Sequence, residues 1–297
     1  MSTNLHLRDP EKVRNYLIAR KLIDQTTRTF PWYDSIWLRK YVAAKKMFEH
    51  VRPNMLPEFI NAFDRLRTRP DFAVRQIDSV FNEQILEKIR DTIKTLPSDA
   101  LESHETENFG RLVVHNHPFF TKLQKDIQPL VSGLAGELVE PSYNFLSLYS
   151  QLGVCHPHID SPEAKWTLDL CIDQSEAWPI HFSGVVPWPE DFSYPGEDWQ
   201  TYIKERSNLQ FTSYCLQPNE AVLFSGSSQW HYREGLSNGV KSKFCTLLFF
   251  HFIPDGMGEL VRPKKWPEIF GLPELEAVVN PNSAFNPRAE RRLDNHR

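Results

Sequence analysis

The 297-residue chain lacks the features that mark several large classes of protein. Its four cysteines, Cys155, Cys171, Cys215 and Cys245, form no C-x-x-C pair and read as reduced thiols of a cytoplasmic protein. Long hydrophobic runs are missing: "FCTLLFFHFIP" is the longest, about half a membrane span. The opening "MSTNLHLRDPEKVRNY" has no apolar core of the signal-peptide kind. Net charge is only −4, which gives no general electrostatic grip on nucleic acid or an anionic membrane. There is no phosphate-binding glycine loop, no G-x-S-x-G and no Cys–His pair in supporting context. The "HNH" at 115–117 lacks the finger that surrounds that nuclease motif and reads as a strand-end turn.

What is present is an ordinary globular composition, 40% hydrophobic and 24% charged, enough for a sizeable core. Residues 9 to about 66 carry helical periodicity, with Trp37, Tyr41, Ala44, Phe48 and Val51 spaced by three and four. "FNEQILEKIRDTIKTL" is a further amphipathic helix with Asn82 or Ser79 as its cap. "GRLVVHN" reads as a strand, and "HPFFTKLQKDIQPLVSGLAGELV" as a helix interrupted near Pro129. From about residue 141 short β-type runs follow one another, from "YNFLSLYS" through "WTLDLCI", "IHFSGVV", "NLQFTSYCL" and "EAVLFSG" to "KFCTLLFFHF". "VPWPEDFSYPGEDWQ" reads as a loop or insertion, and after Pro254 the chain turns proline-rich and loses periodicity. We expect a helical N-terminal region over 1–75, a β-rich domain with supporting helices over 76–254, and a C-terminal extension over 255–297. In "WTLDLCI", Thr167, Asp169 and Cys171 alternate with apolar residues; Asp169 reads as an exposed strand position or a buried one with a partner.

The chemistry concentrates in "CHPHID". His158 and Asp160 form H-x-D, and in extended chain residues i and i+2 share a face, so both can reach one cation. A third ligand is needed, and His231 in "FSGSSQWHYREG", after the strand "EAVLFS", is the best candidate. Two histidines and one carboxylate make the facial triad of non-haem Fe(II) oxygenases, with coordination positions left open. His156 competes as a ligand or as a donor to one. His181 and His251 read as core or surface histidines, and Trp166, Trp178 and Trp230 as core packing or pocket walls.

On "LYSQLGVCHPHID", "LQPNEAVLFSGSSQWHYRE" and "KSKFCTLLFFHF", residues 144 to 252 resemble the Fe(II)/2-oxoglutarate-dependent dioxygenases, most like their prolyl-hydroxylase-type branch. The resemblance covers a little over a third of the chain. It implies an α+β fold with a double-stranded β-helix (jelly-roll or cupin-like) core and a largely helical N-terminal half. It also implies Fe(II), 2-oxoglutarate and O₂ as cofactor and cosubstrates. In the family an Arg or Lys on the strand after the distal histidine anchors the far carboxylate of 2-oxoglutarate. The usual arginine is not plainly present here, and Arg233, Lys241 and Lys243 are the candidates. Tyr149 lies near where the family often places a tyrosine that hydrogen-bonds the cosubstrate. A carboxylate at Asp160 favours hydroxylation, since halogenating relatives carry a small residue there.

The expected activity is hydroxylation of an unactivated C–H bond in an amino acid, peptide or natural-product intermediate. The expected partner is a small-molecule or peptidyl substrate, with neither nucleic acid nor membrane. The N-terminal helices are a candidate homodimer surface or substrate lid. The rival readings are a cupin-like metalloenzyme that uses no 2-oxoacid and a non-catalytic β-barrel binding protein.

Overall fold

A computed structural model describes residues 9–27, 36–190, 198–206, 208–236 and 243–280. The helices are α1 Pro10–Thr27, α2 Ile36–Val51, α3 Leu56–Ala62, α4 Glu83–Lys94, α5 Thr106–Phe109, α6 Pro118–Asp126, α7 Gln128–Ala135, α8 Trp199–Glu205, α9 Trp266–Ile269 and α10 Glu276–Val279. The strands are β1 Arg75–Ile77, β2 Arg111–His115, β3 Val139–Tyr149, β4 Cys155–His158, β5 Trp166–Gln174, β6 Ile180–Val185, β7 Phe211–Tyr214, β8 Ala221–Phe224, β9 Gln229–Arg233 and β10 Cys245–Pro254. The chain divides into two compact units, one of residues 1–65, 188–195 and 258–297, the other of residues 66–187 and 196–257.

The first unit is built on aromatic packing. Trp37 and Tyr41 on α2 meet Phe59, Phe63 and Trp266, with edge-on ring pairs at 5.1 Å for both Trp37–Trp266 and Tyr41–Phe63. Such pairs add about 0.5–1.5 kcal/mol each beyond the area they bury. The indoles are satisfied internally: Trp37 Nε1 donates to Val261 O at 2.7 Å, and Trp266 Nε1 to Leu260 O at 2.8 Å. The segment after Pro254, which reads from sequence as aperiodic, is ordered as far as Asn280 in short helical turns, each beginning near a proline or a tryptophan.

The second unit holds two antiparallel sheets. The larger runs β1-β8-β5-β10-β3-β2 and the smaller β4-β9-β6-β7. Period-two alternation decides which side of the larger sheet is dry. Leu146 on β3, Trp166, Leu168, Leu170 and Ile172 on β5, Ala221 and Leu223 on β8, and Leu248, Phe250 and Phe252 on β10 form one buried cluster with Leu86 and Ile89 of α4 and Phe120, Leu123 and Val131 of α6 and α7. The alternate positions, among them Tyr149, Thr167, Asp169, Phe249 and His251, point to the opposite, inner face. The sheets meet across that inner side, as the rings of Phe182 on β6 and Phe224 on β8, 4.5 Å apart, show.

Local signals set several boundaries. Asn82 caps α4 by accepting from Ile85 N. Gly136 takes the left-handed conformation, φ +73°, and ends α7. The helix expected to run to Val139 therefore stops four residues earlier, at Ala135, and Val139 is already the first residue of β3. Trp199, read as the end of a loop, opens α8.

Phe250 is fully buried on the strand at the centre of the larger sheet. Phe250→Ala is expected to cost about 3–5 kcal/mol, measured by denaturant unfolding. A loss under 1 kcal/mol would mean that the helix-facing cluster is not what holds the sheet.

Candidate metal centre

The centre is assembled by the pairing of β4 with β9. Their antiparallel register sets His158 opposite His231, and Cys155 opposite Arg233. Each histidine is oriented in the same way. His158 Nδ1 lies 2.8 Å from His156 O, and His231 Nδ1 lies 3.0 Å from Gln229 O, in both cases the carbonyl two residues back. A carbonyl only accepts, so each Nδ1 carries a hydrogen and each Nε2 is the atom turned toward the site. The rings approach to 4.1 Å between centroids. Asp160 completes the group, with Oδ1 3.3 Å from His158 Nε2 and Oδ2 3.7 Å from His231 Nε2. One ligand atom from each of His158, Asp160 and His231 lies within 4.8 Å of the others, and no other group of this kind occurs among the described residues. The donor set of two neutral imidazoles and one carboxylate fits a divalent first-row metal and leaves room for further ligands. His156 supplies its carbonyl to orient His158, and its own ring lies outside this group.

The loop between β8 and β9 holds Asp160 in place. Asp160 N donates to Gly226 O at 2.8 Å. A Cβ on Gly226 would lie 2.5 Å from Asp160 Oδ2 and 2.5 Å from Ala164 O, too close for any side chain. The carboxylate thus occupies the space that glycine leaves open.

Burial and neighbours set the charges. Burial pushes His231 down to about 4, with His158 adding to the shift, so it is neutral at physiological pH. Burial also works against protonation of His158, but Cys155 and Asp160 outweigh it and raise His158 well above the ordinary histidine range. Asp160 is held below the usual carboxylate range: His231 and His158 overcome the effect of burial.

Beyond the triad, the inner face carries Arg233, which is buried, and Arg111, which is partly buried. Arg233, two residues past His231, donates to Asp169 Oδ2 at 2.7 Å and to the Trp178 carbonyl. Arg111 on β2 donates to Tyr149 Oη at 2.7 Å and pairs with Glu105. Tyr149 in turn packs edge-on against Trp178 at 4.8 Å. Asp169 is fully buried, which corrects the exposed-strand reading, and it sits there because Arg233 supplies the counter-charge. Its other oxygen, Oδ1, has no partner among the described residues. Lys243 lies just before β10 with its ammonium 2.5 Å from Glu176, and Lys241 lies outside the described residues. Sequence reasoning missed Arg111 and Gly226. Arg111 could have been found, since it alternates with Leu112 and Val114 in an evident strand; a single glycine in "FSGSS" carries no such signal.

No protein-family model matches the chain, and no curated protein matches it. Solved structures do. HygX from Streptomyces hygroscopicus with nickel and 2-oxoglutarate bound is 11% identical, with a TM-score of 0.45, over 66% of this chain and 86% of that one. The non-haem alpha-ketoglutarate-dependent epimerase SnoN from nogalamycin biosynthesis is 13% identical, with a TM-score of 0.45, over 71% and 90%. EctD from S. alaskensis in its apo form is 13% identical, with a TM-score of 0.46, over 65% and 75%. Likenesses at these identities and TM-scores do not by themselves assign an activity. No helix among the described residues is long and apolar enough to cross a membrane.

Two outcomes are expected. Gly226→Ala should weaken Fe(II) or Mn(II) binding at least about tenfold while the far-UV spectrum stays native, because the methyl group displaces the Asp160 carboxylate and shifts the loop locally against Ala164 O. Unchanged affinity would show that the close approach does not position Asp160. Metal must also displace the proton that the raised His158 retains, so uptake near pH 7 should release about one proton, and affinity should fall about tenfold per pH unit below the His158 pKa. Titration in weak buffer with an indicator dye reads the release directly.

Proposed function

We propose that this chain is a non-haem Fe(II)/2-oxoglutarate-dependent oxygenase on a double-stranded β-helix, hydroxylating an unactivated C–H bond of a small molecule or peptidyl residue. The observation that carries the reading is the His158–Asp160–His231 group, buried, with both Nε2 atoms and the carboxylate converging on one point. The strand orders β8-β5-β10-β3 and β4-β9-β6-β7 support the fold assignment: each sheet interleaves early and late strands, as a chain wound twice round a barrel requires.

Bound at the triad, Fe(II) with 2-oxoglutarate and O₂ would supply an oxidant for the C–H bond, with succinate and CO₂ as co-products. The chain's own residues do the rest. His158, Asp160 and His231 would hold the metal and leave positions for further ligands. Arg233, on the same strand and face as His231, is the anchor for the far carboxylate of the cosubstrate, and Arg111 with Tyr149 lines the same end. Arg233 is buried and Arg111 largely shielded, where a carboxylate partner is bound more strongly than in water. Lys243, already tied to Glu176 outside the strand, is the weaker candidate.

The first test is anaerobic Fe(II) binding with and without 2-oxoglutarate, followed by the visible charge-transfer band. The band should need both components and vanish in His231→Ala. Bound metal without a band would move the reading to a cupin-like metalloenzyme that uses no 2-oxoacid, and no bound metal to a non-catalytic barrel. The anchor has its own test. Removing Arg233 alone would strand Asp169, at a cost of about 3–5 kcal/mol. The paired change Arg233→Met with Asp169→Leu avoids this, and it should raise the 2-oxoglutarate concentration for half-maximal band by tenfold or more at unchanged metal affinity. If Arg111→Leu does so instead, the anchor is Arg111.

A further inference from the structure

The inner face of the larger sheet carries a second construction beside the triad. Four rings stand on it nearly parallel: Tyr143 and Phe145 from β3, Phe249 and His251 from β10. Tyr143 and His251 are 4.1 Å apart between centroids at 25°, Phe145 and Phe249 4.8 Å at 26°, and the planes of Phe249 and His251 differ by 3°. Rings that cover one another's faces turn their edges to whatever occupies the interior. Tyr143, Phe145 and Phe249 are only partly buried, so that row of edges is open, whereas His251 is buried at its end.

Hydrogen bonding determines what His251 can recognise. Its Nδ1 lies 2.9 Å from Thr167 Oγ1, and that hydroxyl donates to Ala164 O at 3.2 Å. With the hydroxyl proton placed there, Nδ1 is the donor to Thr167, and Nε2 is left with a lone pair. Nε2 is buried and has no partner among the described residues. Burial keeps the ring neutral by pushing its pKa down to about 3. The backbone here is fixed. The β3–β10 register shifts between Phe250 and Phe252, and Gln124 Nε2 ties the bulge by donating to Tyr143 O at 2.9 Å and His251 O at 2.7 Å. Thr167 Oγ1, bonded to His251 Nδ1, and Asp160 Oδ2 border the same space beside Gly226.

We propose that His251 Nε2 is a substrate-recognising acceptor: it takes a hydrogen bond from a neutral hydroxyl or N–H on a ring-bearing substrate whose body lies against the edges of Tyr143, Phe145 and Phe249. A buried acceptor without a donor is costly, and a ligand donor removes that cost. A carboxylate at this point would meet a lone pair and no donor. The proposal rests on the oxygenase reading only in calling the occupant a substrate.

The test uses phenol and toluene as probes on the full chain loaded with Zn(II), without O₂ or 2-oxoglutarate, with affinities taken from NMR titration. Phenol is expected to bind roughly threefold to tenfold more tightly than toluene, as one neutral hydrogen bond allows. His251→Phe keeps a ring in the stack and should erase the difference between phenol and toluene at unchanged metal content. In the wild-type protein the ¹⁵N resonance of His251 Nε2 should move with phenol and stay with toluene, a readout that needs no variant. Phenol binding no tighter than toluene, or a preference that survives in His251→Phe, would overturn the assignment. None of these readings depends on the charge-transfer band, so failure here is distinct from failure of the oxygenase reading.

Discussion

The antiparallel rung between β4 and β9 is the constraint on which the centre depends. It places His158 against His231, and the two rings can approach to 4.1 Å because each is turned by the carbonyl two residues behind it. Both Nε2 atoms then face one point before any metal arrives. Asp160 comes from the chain leaving β4, and its carboxylate stands in space that exists only because residue 226 has no side chain. Three short local arrangements thus converge on one buried point, and the mutual effects on protonation follow from that proximity.

The larger sheet separates packing from chemistry by face. Its outer side is apolar and closed by α4, α6 and α7; its inner side carries Arg111, Tyr149, Asp169, Thr167 and His251. Neighbouring residues on one strand consequently have opposite duties. Leu168 and Leu170 stabilise the domain, while Asp169 between them holds Arg233. Burial makes these polar pairs consequential, because each charge or lone pair there must find its partner inside. The Arg233–Asp169 and Arg111–Glu105 pairs meet that demand, and the free Nε2 of His251 and Oδ1 of Asp169 are where it is left open.

The elements themselves were largely legible from the sequence. The helix α4 with its Asn82 cap, the break between α6 and α7 and the β-rich run from residue 141 follow from periodicity, capping and turn chemistry, all of which act within a few residues. Apart from the helix end at Gly136, a nonlocal effect won where the reading departed from the structure. Asp169 reads as exposed because its partner lies 64 positions away, and the segment after Pro254 reads as irregular because its order depends on distant aromatic contacts such as Trp37 with Trp266.

By itself the sequence determined the ligand types and the pairwise proximity of His158 and Asp160, since an H-x-D in extended chain shares a face by covalent geometry alone. Only the tertiary structure decided that His231 closes the group, that Arg233 is neutralised by Asp169, that Arg111 enters the interior, and that residue 226 has no room for a methyl group. Each of these depends on strand register, and register is set by the packing of whole sheets rather than by any short stretch of chain.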